Sequence, residues 1–373
     1  MKRLLGLMFV SVLALFAFVA CTETTTVAET TATTTEAEAV RIALVTDVGN
    51  IDDKSFNEGA WNGVVQYAEE NSISYAYYRP SEDSTQARVE TIEAAIEAGA
   101  EIVVCPGYLF ETAIYEVQGD YPDVAFLLLD GEPHTADYGT YETTSNTHNV
   151  LYQEEQAGYL AGYAVVMDGY RELGFVGGMA VPAVIRYGFG YVQGAEAAAE
   201  ELGLSAGDVT LKYYYAGIFA ADPDLETKMD TWYAGGTEIV FACGGALYLS
   251  VVAAAEGTTD GMVVGVDVDQ SAESDRIVTS AMKGLTISVY DALTAFYDNG
   301  GEWPTALAGT TSVLGADTDG VGLPTADGSW GFDTFTVADY EDVFADLADG
   351  TIVVDNGTDT MPTTTLVTVT VEQ

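Results

Sequence analysis

The chain has 373 residues, enough for two domains, and 48 % of them are apolar, enough for sizeable cores. Only 19 % are charged, yet Asp and Glu number 58 against 12 Lys and Arg, giving a formal charge of −46. That imbalance excludes a nucleic-acid backbone as partner and disfavours docking of the folded surface on anionic lipid, both of which need cations; the apolar and aromatic content excludes disorder along the whole chain.

Lys2 and Arg3 precede an apolar run from Leu4 to Ala20, the pattern of a secretory signal spanning residues 1–20. Ala20 then precedes Cys21, as in a lipobox, where the cysteine takes a lipid and becomes the first residue. Phe18 stands where a lipobox usually has Leu, so a plain secretory signal or an uncleaved anchor stays open. Nine of the 18 residues from Thr22 to Ala39 are Thr, with no apolar period. Such a stretch builds no core and suits a tether between a lipid and a domain.

From Arg41 onward, short apolar runs alternate with helical patterns. Residues 42–46, 73–78, 101–105 and 124–130 read as strands, and 57–70, 84–98 and 109–119 as helices. This βαβαβαβ order calls for a parallel sheet covered on both faces. The pattern restarts with helices predicted at 151–167, 186–202, 222–234 and 246–256. The strands of this second unit are predicted at 172–178, 209–215, 238–245 and 262–267. A strand and turn at 276–284, a helix at 285–298, a loop at 301–330, a helix at 337–348 and a terminal strand from Thr363 follow. The stretches 98–110 and 235–247 echo each other without a gap, which sets Cys105 and Cys243 at equivalent places in separate lobes and argues against a disulfide.

In open α/β sheets, ligands bind beyond the carboxyl ends of strands. Asp47, Asp130 and Asp267 fall at three such ends, and glycines follow two further strands at 177–178 and 244–245. On composition alone each Asp is as well read as a turn residue; their joint placement favours a ligand. Lys54 and Arg186 are further rare cations, and Lys283, near Asp267 in chain order, is the best functional candidate. His134 and His148 stand apart in polar stretches. The sequence contains no H-E-x-x-H, C-x-x-C, G-x-S-x-G or P-loop, so neither a catalytic residue, a metal site nor a cofactor is expected. The run from Gly188 to Gly194 has the wrong spacing for a dinucleotide fingerprint, and close helix packing reads it better.

The stretch LVTDVGNIDDKSFNEGAWNG (44–63) resembles the opening signature of the basic membrane protein lipoproteins, which include purine-nucleoside receptors of ABC importers. EEQAGYLAG (154–162), VGGMAVPAVIRYGFGYVQGA (176–195), ACGG (242–245), GVDVDQ (265–270) and SAMKG (280–284) follow in the same order. The resemblance implies an α/β, type I periplasmic-binding-protein fold with two Rossmann-like lobes closing over a ligand. The implied lobes are 40–149 with about 270–300, and 150–269 with about 301–373. It further implies that a purine base stacks between Phe56 and Tyr187, where the family more often has Phe at the second place. Asp47, Ser55 or Asn57, and Asp130 match the polar contacts of the first lobe; Gly244, Asp267 and Lys283 match those of the second.

These readings predict a non-enzymatic solute receptor, anchored outside the cytoplasm by lipid on Cys21. Its membrane contact would run through that lipid alone. Its partners would be a purine nucleoside and an ABC permease with its ATPase. The alternatives are the same fold holding a sugar or another small polar metabolite, a nucleoside hydrolase using paired carboxylates, and a sensory receptor without transport.

Overall fold

A computed structural model describes residues 39–372. The signal, Cys21 and all but the last residue of the Thr-rich stretch lie outside the described residues. The chain opens with β1 (Ile42–Val45), α1 (Phe56–Asn71), β2 (Tyr75–Tyr78), α2 (Thr85–Glu97), β3 (Ile102–Pro106), α3 (Glu111–Val117), β4 (Ala125–Leu129) and β5 (Thr147–Tyr152). There follow α4 (Glu154–Met167), β6 (Glu172–Gly177), α5 (Pro182–Glu201), β7 (Val209–Tyr215), α6 (Pro223–Ala234), β8 (Ile239–Cys243), α7 (Tyr248–Glu256), β9 (Met262–Asp267) and β10 (Ile277–Lys283). The rest is α8 (Leu285–Asp298), β11 (Thr310–Leu314), β12 (Val321–Gly322), α9 (Val337–Ala348) and β13 (Val367–Val371).

These strands form two sheets, ordered β11-β5-β4-β3-β1-β2 and β12-β10-β9-β8-β6-β7-β13. Every pairing is parallel except that of β10 with β12. The central strands β1, β3, β4 and β8 are buried along their whole length. Helices cover both faces of a parallel sheet, so its strands read as continuous apolar runs rather than alternations. The chain passes between the sheets after β5, after β10 and after β11.

Three expectations need correction. Residues 147–152 form strand β5, where a helix was expected to start at 151. The expected loop at 301–330 contains β11 and β12. Both β5 and β11 belong to the first sheet, so its lobe extends past residue 149 and includes part of 301–373; β10 joins β9 in the second sheet rather than the first lobe. β5 opens on Thr-His-Asn and β11 on Thr-Thr-Ser, so each carries only a short apolar stretch, and β12 is two residues long. Their polar groups are satisfied locally: Asn149 Nδ2 donates to the Thr143 and Thr311 hydroxyls at 3.0 and 3.1 Å, and His148 Nδ1 lies 3.0 Å from the Leu307 carbonyl.

Helices α4 and α5 pack so closely that their backbones touch. A Cβ on Gly158 would stand 2.1 Å from the Tyr187 carbonyl oxygen, and one on Gly162 2.1 Å from that of Tyr191. Reciprocally, Gly190 and Gly194 meet the Glu155 and Tyr159 carbonyls at 2.0 Å each. Each helix therefore presents glycines four residues apart to the other, which only a missing side chain permits. The glycine run of α5 is a helix-packing seam, and it fixes Glu154 at the start of α4 against Arg186 on α5. On the first lobe, α8 lies on α1, with Thr286 Oγ1 donating to the Gly59 carbonyl at 2.8 Å. Both junctions bring the ends of β10 and β4 toward one cleft.

Candidate functional site

Six carboxylates among the described residues are buried: Asp53, Glu111, Asp130, Glu154, Glu155 and Asp267. Glu111 pairs with His134, Nε2 to Oε2 at 2.9 Å, in a structural contact. The other five gather at or beside the cleft, although most of the acidic side chains among the described residues face solvent. Buried charge is expensive unless paired, so its concentration here marks a built site.

The first-lobe wall begins where β1 ends. Asp47 Oδ1 accepts from Gly49 N at 2.7 Å and from Asn57 Nδ2 at 2.9 Å. Asp53 Oδ1 and Oδ2 accept the backbone N–H groups of Ser55, Asn57 and Glu58 at 2.9–3.1 Å, which caps α1. Ser55 occupies the N-cap position but makes no side-chain cap. Its Oγ instead donates to Asp267 Oδ2, across the cleft, at 2.5 Å. Next to it, Lys54 adopts a left-handed φ of 53° and presents its carbonyl to Gln270 Nε2 at 2.8 Å.

Asp130 and Asp267, at the ends of β4 and β9, also have left-handed φ values, 59° and 68°. Sparsely populated backbone of this kind collects at functional sites. Both carboxylates converge on Lys283 at the end of β10. Its Nζ donates to Asp130 Oδ2 and to Glu154 Oε1 at 3.2 Å, and lies 4.0 Å from Asp267 Oδ1. Arg186 Nε donates to the other Glu154 oxygen at 2.6 Å. The ammonium also faces the rings of Phe56, Tyr152 and Tyr187, with centroids at 4.7, 5.3 and 5.5 Å.

One ammonium serves three carboxylates, and their acidities differ accordingly. Burial opposes the Lys283 charge, but Asp130, Glu154 and Asp267 outweigh it and hold the ammonium above its ordinary range. Burial raises the Asp130 carboxyl despite Lys283, and the Glu154 charge adds to the rise. Burial likewise pushes Asp267 up to about 6, against the pull of Lys283 and Ser55. At Glu154 burial is overcome by Arg186 and Lys283, so this carboxyl stays below its ordinary range.

These groups surround a cavity with about 660 Å³ of space not filled by protein atoms, part of it open to solvent. Asp47, Phe56, Asn57, Asp130, Tyr187, Gly244, Asp267 and Lys283 all line it; Ser55 does not, being fully buried behind it. Tyr187 is 2 % exposed and packs edge-on against Phe241, centroids 5.9 Å apart at 89°. A freer ring is Phe219, on the loop after β7, half-buried at the same wall. Cβ atoms on Gly178 and Gly244 would stand 2.3 and 2.8 Å from its ring. These strand-end glycines make room for Phe219. Sequence reasoning missed Phe219, Asp53 and Glu154; the paired glycines were the available signal for the first. Cys105 and Cys243 are free, buried thiols in different sheets, and Cys243 borders the cavity.

Two parallel α/β lobes joined by several crossings, with a polar and aromatic cleft at their strand ends, define a solute-binding protein of the periplasmic type. A crystal structure of an ABC transporter solute-binding protein from Aeropyrum pernix K1 superposes with a TM-score of 0.72 at 20 % identity, covering 86 % of this chain and 94 % of that one. The sequence model of the Bmp family, ABC transporter substrate-binding protein PnrA-like, matches residues 39–343, and the chain belongs to that family. Basic membrane protein A1 of Borrelia garinii is 28 % identical over 263 residues, 68 % of this chain and 72 % of its own. The ABC transporter nucleoside-binding protein BmpA of Lactococcus lactis is 24 % identical over 243 residues, 62 % of this chain and 64 % of its own.

Proposed function

We propose that this substrate-binding protein takes an uncharged purine nucleoside into the cleft and passes it to an ABC permease and its ATPase. The observation that carries this reading is the charge and ring pattern of the cavity. Four carboxylates, Asp47, Asp53, Asp130 and Asp267, line it with one ammonium, Lys283, that already bonds Asp130 and Glu154. A phosphate would meet repulsion there, whereas ribose hydroxyls and base N–H groups are donors that carboxylates accept. Phe56 on one lobe, and Tyr187 with Phe219 on the other, supply aromatic surface for a flat base. Asp47, Asn57 and Asp130 then orient the ligand from the first lobe, and Gly244, Asp267 and Lys283 from the second. Ser55 acts at one remove, by holding Asp267.

Export and lipidation at Cys21 complete the proposal, with residues 22–39 as tether. A hydrophobic mass on an N-terminal peptide beginning at Cys21, recovered from membranes, is the expected result; a free thiol there contradicts the anchor. Equilibrium dialysis against adenosine, guanosine and inosine tests the ligand. Phe56→Ala should weaken retention at least tenfold, whereas a site for sugars alone would retain ribose and be indifferent to the ring.

A further inference from the structure

Donors and acceptors around the cavity are out of balance. Its four carboxylates are acceptors, and the side-chain donors facing them are engaged. Lys283 Nζ bonds Asp130 and Glu154, Asn57 Nδ2 bonds Asp47 and Asp53, and the Tyr108 and Tyr138 hydroxyls pair at 2.6 Å. Apart from the weak Cys243 thiol, one side-chain donor of the wall is uncommitted. Tyr187 Oη is buried and has no hydrogen-bond partner. Burial and the Asp267 and Glu154 charges keep its proton well above the ordinary phenol range, so the group remains O–H. A buried hydroxyl without a partner is costly, and nearly all such groups in folded proteins are paired. The other wall atom in the same condition is Asp130 Oδ1, an acceptor on the opposite lobe.

We propose that Tyr187 Oη donates a hydrogen bond to the bound ligand, making the second-lobe wall selective for a ligand edge that carries an acceptor, a carbonyl oxygen or a ring nitrogen. The claim rests on the nucleoside reading of the site. With Asp130 Oδ1 it sets a complementary pair of demands, an acceptor toward Tyr187 and an N–H or O–H toward Asp130. Purine nucleosides carry both.

Tyr187→Phe in the full chain removes one oxygen and keeps the ring. Without ligand, its melting temperature is expected to equal or exceed that of the wild type, because no protein partner is lost. With whichever of inosine, guanosine and adenosine the wild type binds, affinity by titration calorimetry is expected to fall about tenfold. Unchanged affinity overturns the assignment. So does a lower ligand-free melting temperature, which would reveal a protein partner for the hydroxyl. If the wild type binds none of the three, the nucleoside reading fails, and the ligand-free melting temperature still judges the hydroxyl.

Discussion

Ser55 Oγ, on the first lobe, donates to Asp267 Oδ2, on the second, at 2.5 Å, and that bond takes the hydroxyl away from the helix end it would otherwise cap. Asp53 does the capping instead, through three backbone N–H groups. The two residues, with Lys54 between them, therefore divide their labour: Asp53 holds α1 and Ser55 holds the lobes together.

Ser55→Ala should accordingly leave α1 intact and loosen the cleft. We expect a loss of about 1 kcal/mol in denaturant unfolding, together with a larger radius of gyration by X-ray scattering. Asp53→Ala should cost more, about 2 kcal/mol or above, because several buried donors lose their acceptor. A greater loss for Ser55→Ala than for Asp53→Ala would contradict this division.

Lys283 is the one cation shared by Asp130, Glu154 and Asp267. Lys283→Met strands three buried carboxylates beside a single remaining cation, Arg186. A loss of about 3–5 kcal/mol at pH 8 is expected. The loss should shrink toward pH 5, since the carboxyls, no longer held ionised by the ammonium, take up protons there. Equal losses at both pH values would show that the charges do not interact as their geometry indicates.

Glu155 gives the opposite handle. Burial pushes its carboxyl up to about 7 from the usual 4.5, the Glu154 charge adds to this, and its Oε2 has no hydrogen-bond partner. The folded chain thus keeps a proton that the unfolded chain has released. The stability linked to it is fully present below the unfolded value of 4.5 and is lost as pH rises through about 7. Glu155→Gln, which removes the titration, should melt like the wild type near the acid end of that window. At pH 8 it should be more stable by ~1–3 kcal/mol. A melting difference that does not change with pH would refute the linkage.

The seam between α4 and α5 predicts a steep position dependence for glycine substitution. Gly158→Ala places a methyl 2.1 Å from a carbonyl oxygen, so the helices must part, at a cost of about 3 kcal/mol or more. Because Arg186 and Tyr187 ride on α5, ligand affinity should fall with it. Gly119→Ala, with nothing within 4 Å of its new methyl, should stay within about 0.5 kcal/mol. Comparable melting temperatures for the two variants would contradict the seam.

Much of this architecture was legible in the chain because parallel strands buried on both faces are plain apolar runs, as in 102–106 and 125–129. Helix α9 falls on its predicted residues, with Thr336 and Asp339 forming a capping box. Strands β5 and β11 were hidden because each opens on polar residues, among which Asn149 and Thr311 find tertiary hydrogen-bond partners. Of the nine candidate ligand residues, eight face one cavity and Ser55 stands behind it. What the sequence concealed were supporting roles. Glu154 and Asp53 look like ordinary acidic residues in an acidic chain, and only burial singles them out. Phe219 is carried by an irregular loop with no period, and its place is set by Gly178 and Gly244, 41 and 25 residues away along the chain.

Thermal unfolding of the purified protein against adenosine, guanosine, inosine, GMP, ribose and glucose tests the central claim most directly. A ligand that binds only the folded state raises the melting temperature by mass action. The four carboxylates and the aromatic walls predict a rise with at least one purine nucleoside and none with GMP, ribose or glucose. Stabilisation by GMP at the level of guanosine, or by a sugar in place of every nucleoside, would contradict it.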